Sequence, residues 1–440
     1  MKKLLFLAFV VSVMLLSGCT SADGPTLTTA ESEEFSEFRT ENELIAIAEE
    51  APGIFEEVQS RSSRKISSGL IRVNAANSRS EDAAAVYAVN FDDGQGFVLV
   101  TDNREMEGLL AYVPDGSYSE DLLNEVASLG ATLIPGIEPI PGITLPLDPT
   151  DPNPNPNPNP NPDPDPDPFP LKRRVTKNVR ETQTLANVPQ KVKVEWGQGY
   201  PANYYQENFW VIGCAPVAAA QAMSYYEPAS INLTFKNAGQ NSVKFNWADI
   251  KKHKEYHDSY GYSCAASMDA HRQIGFLCRE IAERSYTDFK SYDLAVTADI
   301  MIASALSQMF SSSRKVSQAT DLKNFKDLQT GIKEGIVLMS ATPSENSNIG
   351  HMFVLDGYKT LKHVDITYWR YEDESTWHVL FDYTKTGTYY HINWGYDGKA
   401  NGYYSQGLFQ FSKAYSYDHP EMEIKNDAAY NCRPRIITIK

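Results

Sequence analysis

The chain opens with Lys2 and Lys3, then an apolar run over residues 4–16 that ends at Ser17, Gly18 and Cys19. Thirteen residues are too few to cross a bilayer, which takes about 20, so the run reads as a secretory signal. After a polar stretch to about residue 40, apolar positions at Leu44, Ile45, Ile47, Ala48, Ile54 and Phe55 predict a helix over 41–58, despite Pro52 and Gly53. The runs 85–91 and 97–100 flank the turn-prone Asp92-Asp93-Gly94-Gln95-Gly96 and predict a hairpin. A third strand is expected over 109–113 and another helix over 120–129. Together they make a small α+β domain.

The periodicity then stops. Fifteen of the 25 prolines fall between Pro135 and Pro170, and 148–170 is a near-perfect repeat of Asn-Pro and then Asp-Pro. Proline at every second position removes amide donors and fixes φ, which excludes a helix or a central strand. In polyproline II geometry the repeat is a semi-rigid spacer of roughly 70 Å.

Beyond it, Lys172, Arg173, Arg174, Lys177 and Arg180 form a basic segment expected to be flexible and open to proteolysis. From about residue 188 the pattern changes to strand-like runs rich in Tyr and Trp, a few helices, and abundant Gly in the last third. Gly213-Cys214-Ala215-Pro216 opens an alanine-rich run that stops at Glu227-Pro228. Proline is tolerated only in a helix's first turn, so this helix must begin almost at Cys214. A thiol there sits at the positive end of the helix dipole, which favours thiolate.

His351 leads a buried-strand run, Met352 to Leu355, that ends in Asp356-Gly357. It follows Cys214 by 137 residues, within the interval of roughly 130–150 that papain-type enzymes place between nucleophile and base. In His391-Ile392-Asn393-Trp394-Gly395, strand alternation puts His391 and Asn393 on one face and Trp394 on the other. Asn393 can accept the proton on the second imidazole nitrogen, Trp394 can shield that bond, and His391 is a rival base. Gln198 precedes Cys214 by 16 residues and can join the Cys214 amide in an oxyanion hole. Gly350, beside the base, leaves room for a substrate backbone. The spacing of Cys264, His271 and Cys278 matches no zinc pattern, so neither a metal nor a cofactor is expected, and Cys264, Cys278 and Cys432 are read as buried thiols.

Composition adds limits. At 42% hydrophobic and 11% aromatic residues the chain can build real cores, and a pI near 5.0 argues against nucleic acid as a partner. The net charge of −16 is uneven: residues 1–168 carry 9 Lys and Arg against 28 Asp and Glu, net −19, whereas 169–440 carry 31 against 28, net +3. Two units with different roles are implied.

These motifs resemble those of the streptopain-like cysteine peptidases of bacteria, which adopt a papain-like fold. They are Trp196-Gly197-Gln198 with Pro201 and Asn203, Gly213-Cys214 with Gln221-Ala222-Met223 and Tyr225-Tyr226, Gly350-His351 with Phe353-Val354 and Asp356-Gly357, and His391 to Gly395 followed by Asp397-Gly398 and Gly402. The strand runs at 86–87, 97–100 and 109–112 resemble that family's inhibitory propeptide. Residues 16–19 look like the lipobox of bacterial lipoproteins, with Cys19 as the lipidated residue.

The resemblance implies a signal peptide (1–18), an acidic pro-domain (19–147), a linker (148–170) and a two-lobed papain-like catalytic domain (171–440) of α+β class. It implies an exported, membrane-anchored zymogen at the bacterial cell envelope or surface. Protein or peptide substrates meet Cys214 and His351, and the pro-domain is the intramolecular inhibitor. An inert papain-like binding lipoprotein and a cell-wall peptidase or amidase are the alternatives. Residues 359–390, with strand-like runs at 364–368 and 377–383, exceed what a strand-turn-strand needs and predict an extra hairpin beside the active site.

Overall fold

The computed structural model describes residues 38–56, 64–67, 69–73, 85–104, 107–119, 174–235, 239–253, 257–258, 261–262, 265–342, 350–406 and 432–440. The expected signal, Cys19, the helix at 120–129, the spacer and Cys264 lie outside them.

Thr40 starts α1 (Glu41–Phe55) with a reciprocal cap: its hydroxyl accepts from the Glu43 amide, and its own amide donates to the Glu43 carboxylate at 2.7 Å. Leu44, Ile47, Ala48, Ala51 and Phe55 make the buried stripe of this helix. Four strands follow: β1 (Ile71–Arg72), β2 (Val86–Asn90), β3 (Phe97–Thr101) and β4 (Leu109–Val113). α1 packs on β3 and β4. Gly96 is required here, because its φ is +103° and a Cβ would stand 2.2 Å from the Val113 carbonyl oxygen.

The rest of the described chain comprises β5 (Arg174–Val188), α2 (Cys214–Tyr226), α3 (Met268–Arg284), α4 (Asp299–Phe310), β6 (Thr320–Asp321), α5 (Phe325–Glu334), β7 (Ile336–Thr342), β8 (His351–Tyr371), β9 (His378–Asn393), β10 (Gly402–Ser405) and β11 (Cys432–Ile439), with smaller turns and hairpins between them. The strands form one antiparallel sheet in the order β1-β2-β3-β4-β10-β9-β8-β7-β11-β6, and β5 pairs with the outer half of β8. Helices α2, α3 and α4 share one apolar core with Trp196, Trp247 and the inner face of β7 and β8. A second core lies on the other side of the sheet. The expected α+β class, with helices segregated from an antiparallel sheet, is what the structure has.

Two features differ from expectation. The runs at 364–368 and 377–383 do pair as a hairpin, yet not as a separate insert: they are the outer halves of β8 and β9, which pair from Val354↔Asn393 to Trp369↔His378 with register shifts at 355/357 and 367/368. The basic segment from Arg174 onward is not loose: β5 is hydrogen-bonded along β8 from Tyr358↔Val188 to Tyr371↔Arg174. Arg180 pairs with Asp365 at 3.1 Å and with Glu50 at 3.4 Å. Arg174 lies over Trp369, and Lys177 lies over Trp377. Polar side chains on β5 find partners across the sheet, so paired strand replaces open loop.

The resulting three-stranded arm carries the front domain. Phe55 of α1 sits among Tyr112, Tyr389 and Tyr403, with ring centroids 5.5, 5.4 and 4.7 Å away. Lys359 donates to the Ile54 carbonyl at 2.5 Å. β4 pairs with β10 through Tyr112↔Tyr403 and Ala111↔Tyr404. Gly402 permits the approach, because a Cβ would meet the Tyr112 carbonyl oxygen at 2.4 Å. Replacing Phe55 with Ala empties the centre of this cluster and should lower the stability of the full chain by about 3–5 kcal/mol, read as a lower urea midpoint.

Candidate active site

α2 begins abruptly because Gly213, at the cap position, takes φ +100° and has no side chain to cap with. A Cβ on Gly213 would press on Ala295 at 3.1 Å. Residues 215–224 are buried all round, so α2 runs through the core. Cys214, its first residue, is half-buried and lines a cavity of about 290 Å³. His351, the first residue of β8 and opposite Ala341 on β7, lines the same cavity. Ala295 to Asp299, Ser340, Met352 and Arg435 complete much of the wall.

The His351 ring is fully buried and its tautomer follows from its partners. Nε2 lies 2.8 Å from the Trp394 carbonyl oxygen. A carbonyl only accepts, so Nε2 carries the proton. Nδ1 is then the acceptor, and the Tyr396 hydroxyl donates to it at 3.3 Å. The Tyr396 ring stacks on the imidazole at 4.8 Å with 12° between planes, and Trp394 and Phe353 flank it at 6.3 and 6.0 Å. Burial brings the imidazole down from its ordinary value to about 4, against the opposing pull of the Trp394 carbonyl. Burial also pushes the Cys214 thiol up, although amides of Met352, Ala215 and Cys214 itself favour thiolate. The expectation that the helix dipole would leave a thiolate is not met in this state, because desolvation outweighs the amides.

Asn393 has a different job from the one its position on the strand suggested. Its amide nitrogen donates to the Val194 carbonyl at 2.8 Å and to Gln221 Oε1 at 2.9 Å, and its oxygen accepts from the Gly395 amide at 3.1 Å. The second imidazole nitrogen is taken by the main chain of Trp394, one residue on. Trp394 therefore contributes its carbonyl as well as its ring. Gln198 lies on the loop leading to α2, where its carbonyl accepts from the Ile212 amide at 3.0 Å, two residues before Cys214. Gly350 lines the cavity, but its missing side chain is required by the neighbouring strand: a Cβ would lie 2.3 Å from the Ala341 carbonyl oxygen. The rival base His391 is bound to Asp356 at 2.6 Å, and the other Asp356 oxygen accepts from the Lys191 and Val192 amides. Cys278 is a buried free thiol within the helical core, pushed up by burial.

Sequence reasoning missed Tyr396 as a partner of His351 and gave Gln221 no role. Gln221 Oε1 also accepts from the Trp196 amide at 3.1 Å. A buried Gln on an otherwise apolar helix was the available signal.

The model of the peptidase C10 family matches residues 196–404, and that of the Spi protease inhibitor matches residues 40–130. The chain is similar to the streptopain-type peptidases of the C10 family over residues 196–404. It is a cysteine-type endopeptidase of the streptopain kind with its inhibitory propeptide in front. No curated protein matches the chain. The C10 match contains Gln198, Cys214, His351, Asn393 and Trp394, the inhibitor match contains α1 and β1 to β4, and β5 falls in neither.

Replacing Asn393 with Ala takes the side-chain donor from the buried Val194 carbonyl and one of the two donors from Gln221 Oε1, and should cost about 1–3 kcal/mol of stability, seen as a lower thermal midpoint. His351 and His253 are held near 4 and His363 near 3 by burial, against an ordinary 6.5. The unfolded chain takes up these protons first as pH falls, so the native state loses stability between about pH 6.5 and pH 4. The urea midpoint of the full-length Cys214→Ala chain should fall over that window.

Proposed function

We propose that the chain is the lipid-anchored precursor of an endopeptidase in which Cys214 is the nucleophile and His351 the proton carrier. The observation that carries this reading is that one cavity is lined by both residues. After the pro-domain leaves, the thiol proton passes to His351, and the Cys214 thiolate attacks the substrate carbonyl carbon. The carbonyl oxygen becomes an oxyanion received by the Cys214 amide and the Gln198 side chain. The imidazolium protonates the leaving amine as the C–N bond breaks. Water then attacks the thioester, giving one proton to His351, and the acid product and the thiol are restored. Trp394 fixes the ring through its carbonyl, and Asn393 fixes Trp394 by holding the end of β9.

The export signal and Cys19 complete the reading: acylation at Cys19 tethers the precursor to the cell envelope, and a cut in or after the spacer separates the enzyme from the anchor. Processed wild-type enzyme should hydrolyse casein and be labelled by the cysteine-protease inhibitor E-64, and Cys214→Ala should do neither; retained hydrolysis refutes the assignment. Expressed in a bacterium fed radiolabelled palmitate, the chain should incorporate label and Cys19→Ala should not.

A further inference from the structure

We propose that Tyr396 is a positioning residue that keeps the enzyme latent by occupying His351 Nδ1 for as long as β4 of the pro-domain is paired with β10. This rests on the reading of Cys214 and His351 as the reacting pair. With Nε2–H committed to the Trp394 carbonyl, the only lone pair on the ring that can take the Cys214 proton is the one at Nδ1. Ion-pair formation breaks the S–H bond and makes an Nδ1–H bond. In the structure the Tyr396 hydroxyl lies 3.3 Å from Nδ1 and its ring is almost parallel to the imidazole, so the hydroxyl covers that nitrogen from the ring face.

The loop that carries Tyr396 joins β9 to β10 and is held in an unusual backbone. Gly395, Asp397, Gly398 and Ala400 all have positive φ, and two of them bear side chains that disfavour it. Such a conformation persists only where its surroundings impose it. On one side the Trp394 amide donates to Asn401 Oδ1 at 2.9 Å. On the other, Gly402 follows directly and lies against Tyr112 of β4. Tyr396 itself belongs to the same buried apolar cluster as Val86, Phe97 and Leu99 of the pro-domain. The pro-domain thus reaches the imidazole through the loop it pins, and burial in this arrangement favours the uncharged forms of His351 and Cys214, which line one cavity. Removing the pro-domain frees one anchor of a strained loop and lets Nδ1 exchange its partner from hydroxyl to thiol.

Tyr396→Phe retains the stacked ring and deletes only the hydroxyl. In the uncleaved full-length chain, alkylation of Cys214 by iodoacetamide, followed by mass spectrometry, should become about fivefold faster, the worth of one buried hydrogen bond. Gly402→Val, which unseats β4 by collision with Tyr112 and leaves Tyr396 intact, should raise the rate as well. In the full-length Cys214→Ala chain labelled with ¹⁵N-histidine, Tyr396→Phe should move the Nδ1 resonance of His351 and leave Nε2 protonated. Alkylation rates and Nδ1 resonance unchanged from the parent chain overturn the inference. If instead processed Cys214→Ala and His351→Ala enzymes still hydrolyse casein, the underlying pair is wrong, an outcome separate from any result at Tyr396.

Discussion

The candidate site depends on a buried amide cluster between α2 and the end of β9. Gln221, on α2, accepts from Trp196 and from Asn393 through one oxygen, and Asn393 also holds Val194 and Gly395. Both side chains are fully buried. In such a place each hydrogen bond is stronger than in water, and each loss strands a partner without solvent. The cluster thereby sets the position of α2, which bears Cys214, relative to the end of β9, which bears Trp394 and so orients His351. The proposed reacting groups sit on separate elements and need a rigid reference between them, and this one is made from polar groups whose directional hydrogen bonds fix one geometry.

The inhibitor domain uses the same sheet. Instead of covering the cleft as a detached plug, it continues the enzyme's strand order through β4 and β10 and lays α1 against the arm. Its contacts combine apolar burial around Phe55 with the Arg180–Glu50 pair and an Asn178–Glu43 hydrogen bond at 3.0 Å. Acidic residues of the front half do meet basic ones of the back half, but at a few points beside a larger apolar surface, so shape carries more of the docking than net charge does.

Much of this was legible in the sequence. Regular apolar spacing marked α1, and runs broken by Asp and Gly marked β2, β3 and β4. Pro216 placed the start of α2 almost at Cys214, which is its first residue. What was hidden was hidden for physical reasons. β5 has mostly exposed polar residues, so no burial period distinguishes it from a loop; its partners are 358–371, far along the chain. The β4–β10 pairing joins residues nearly 300 positions apart. Strand alternation correctly grouped His391 with Asn393, yet the imidazole is oriented by a main-chain carbonyl, and a carbonyl has no residue type to betray it.

The arm also decides what a cut in the spacer achieves. β5 is paired along β8 and begins just beyond the proline repeat, so a cut in the repeat leaves the Arg180–Glu50 and Asn178–Glu43 contacts in place. What changes is concentration. While joined, the inhibitor faces the enzyme at an effective concentration on the order of millimolar, whatever the number of molecules in the sample. Once cut, it rebinds only as fast as its bulk concentration allows. Dilution becomes the second half of activation.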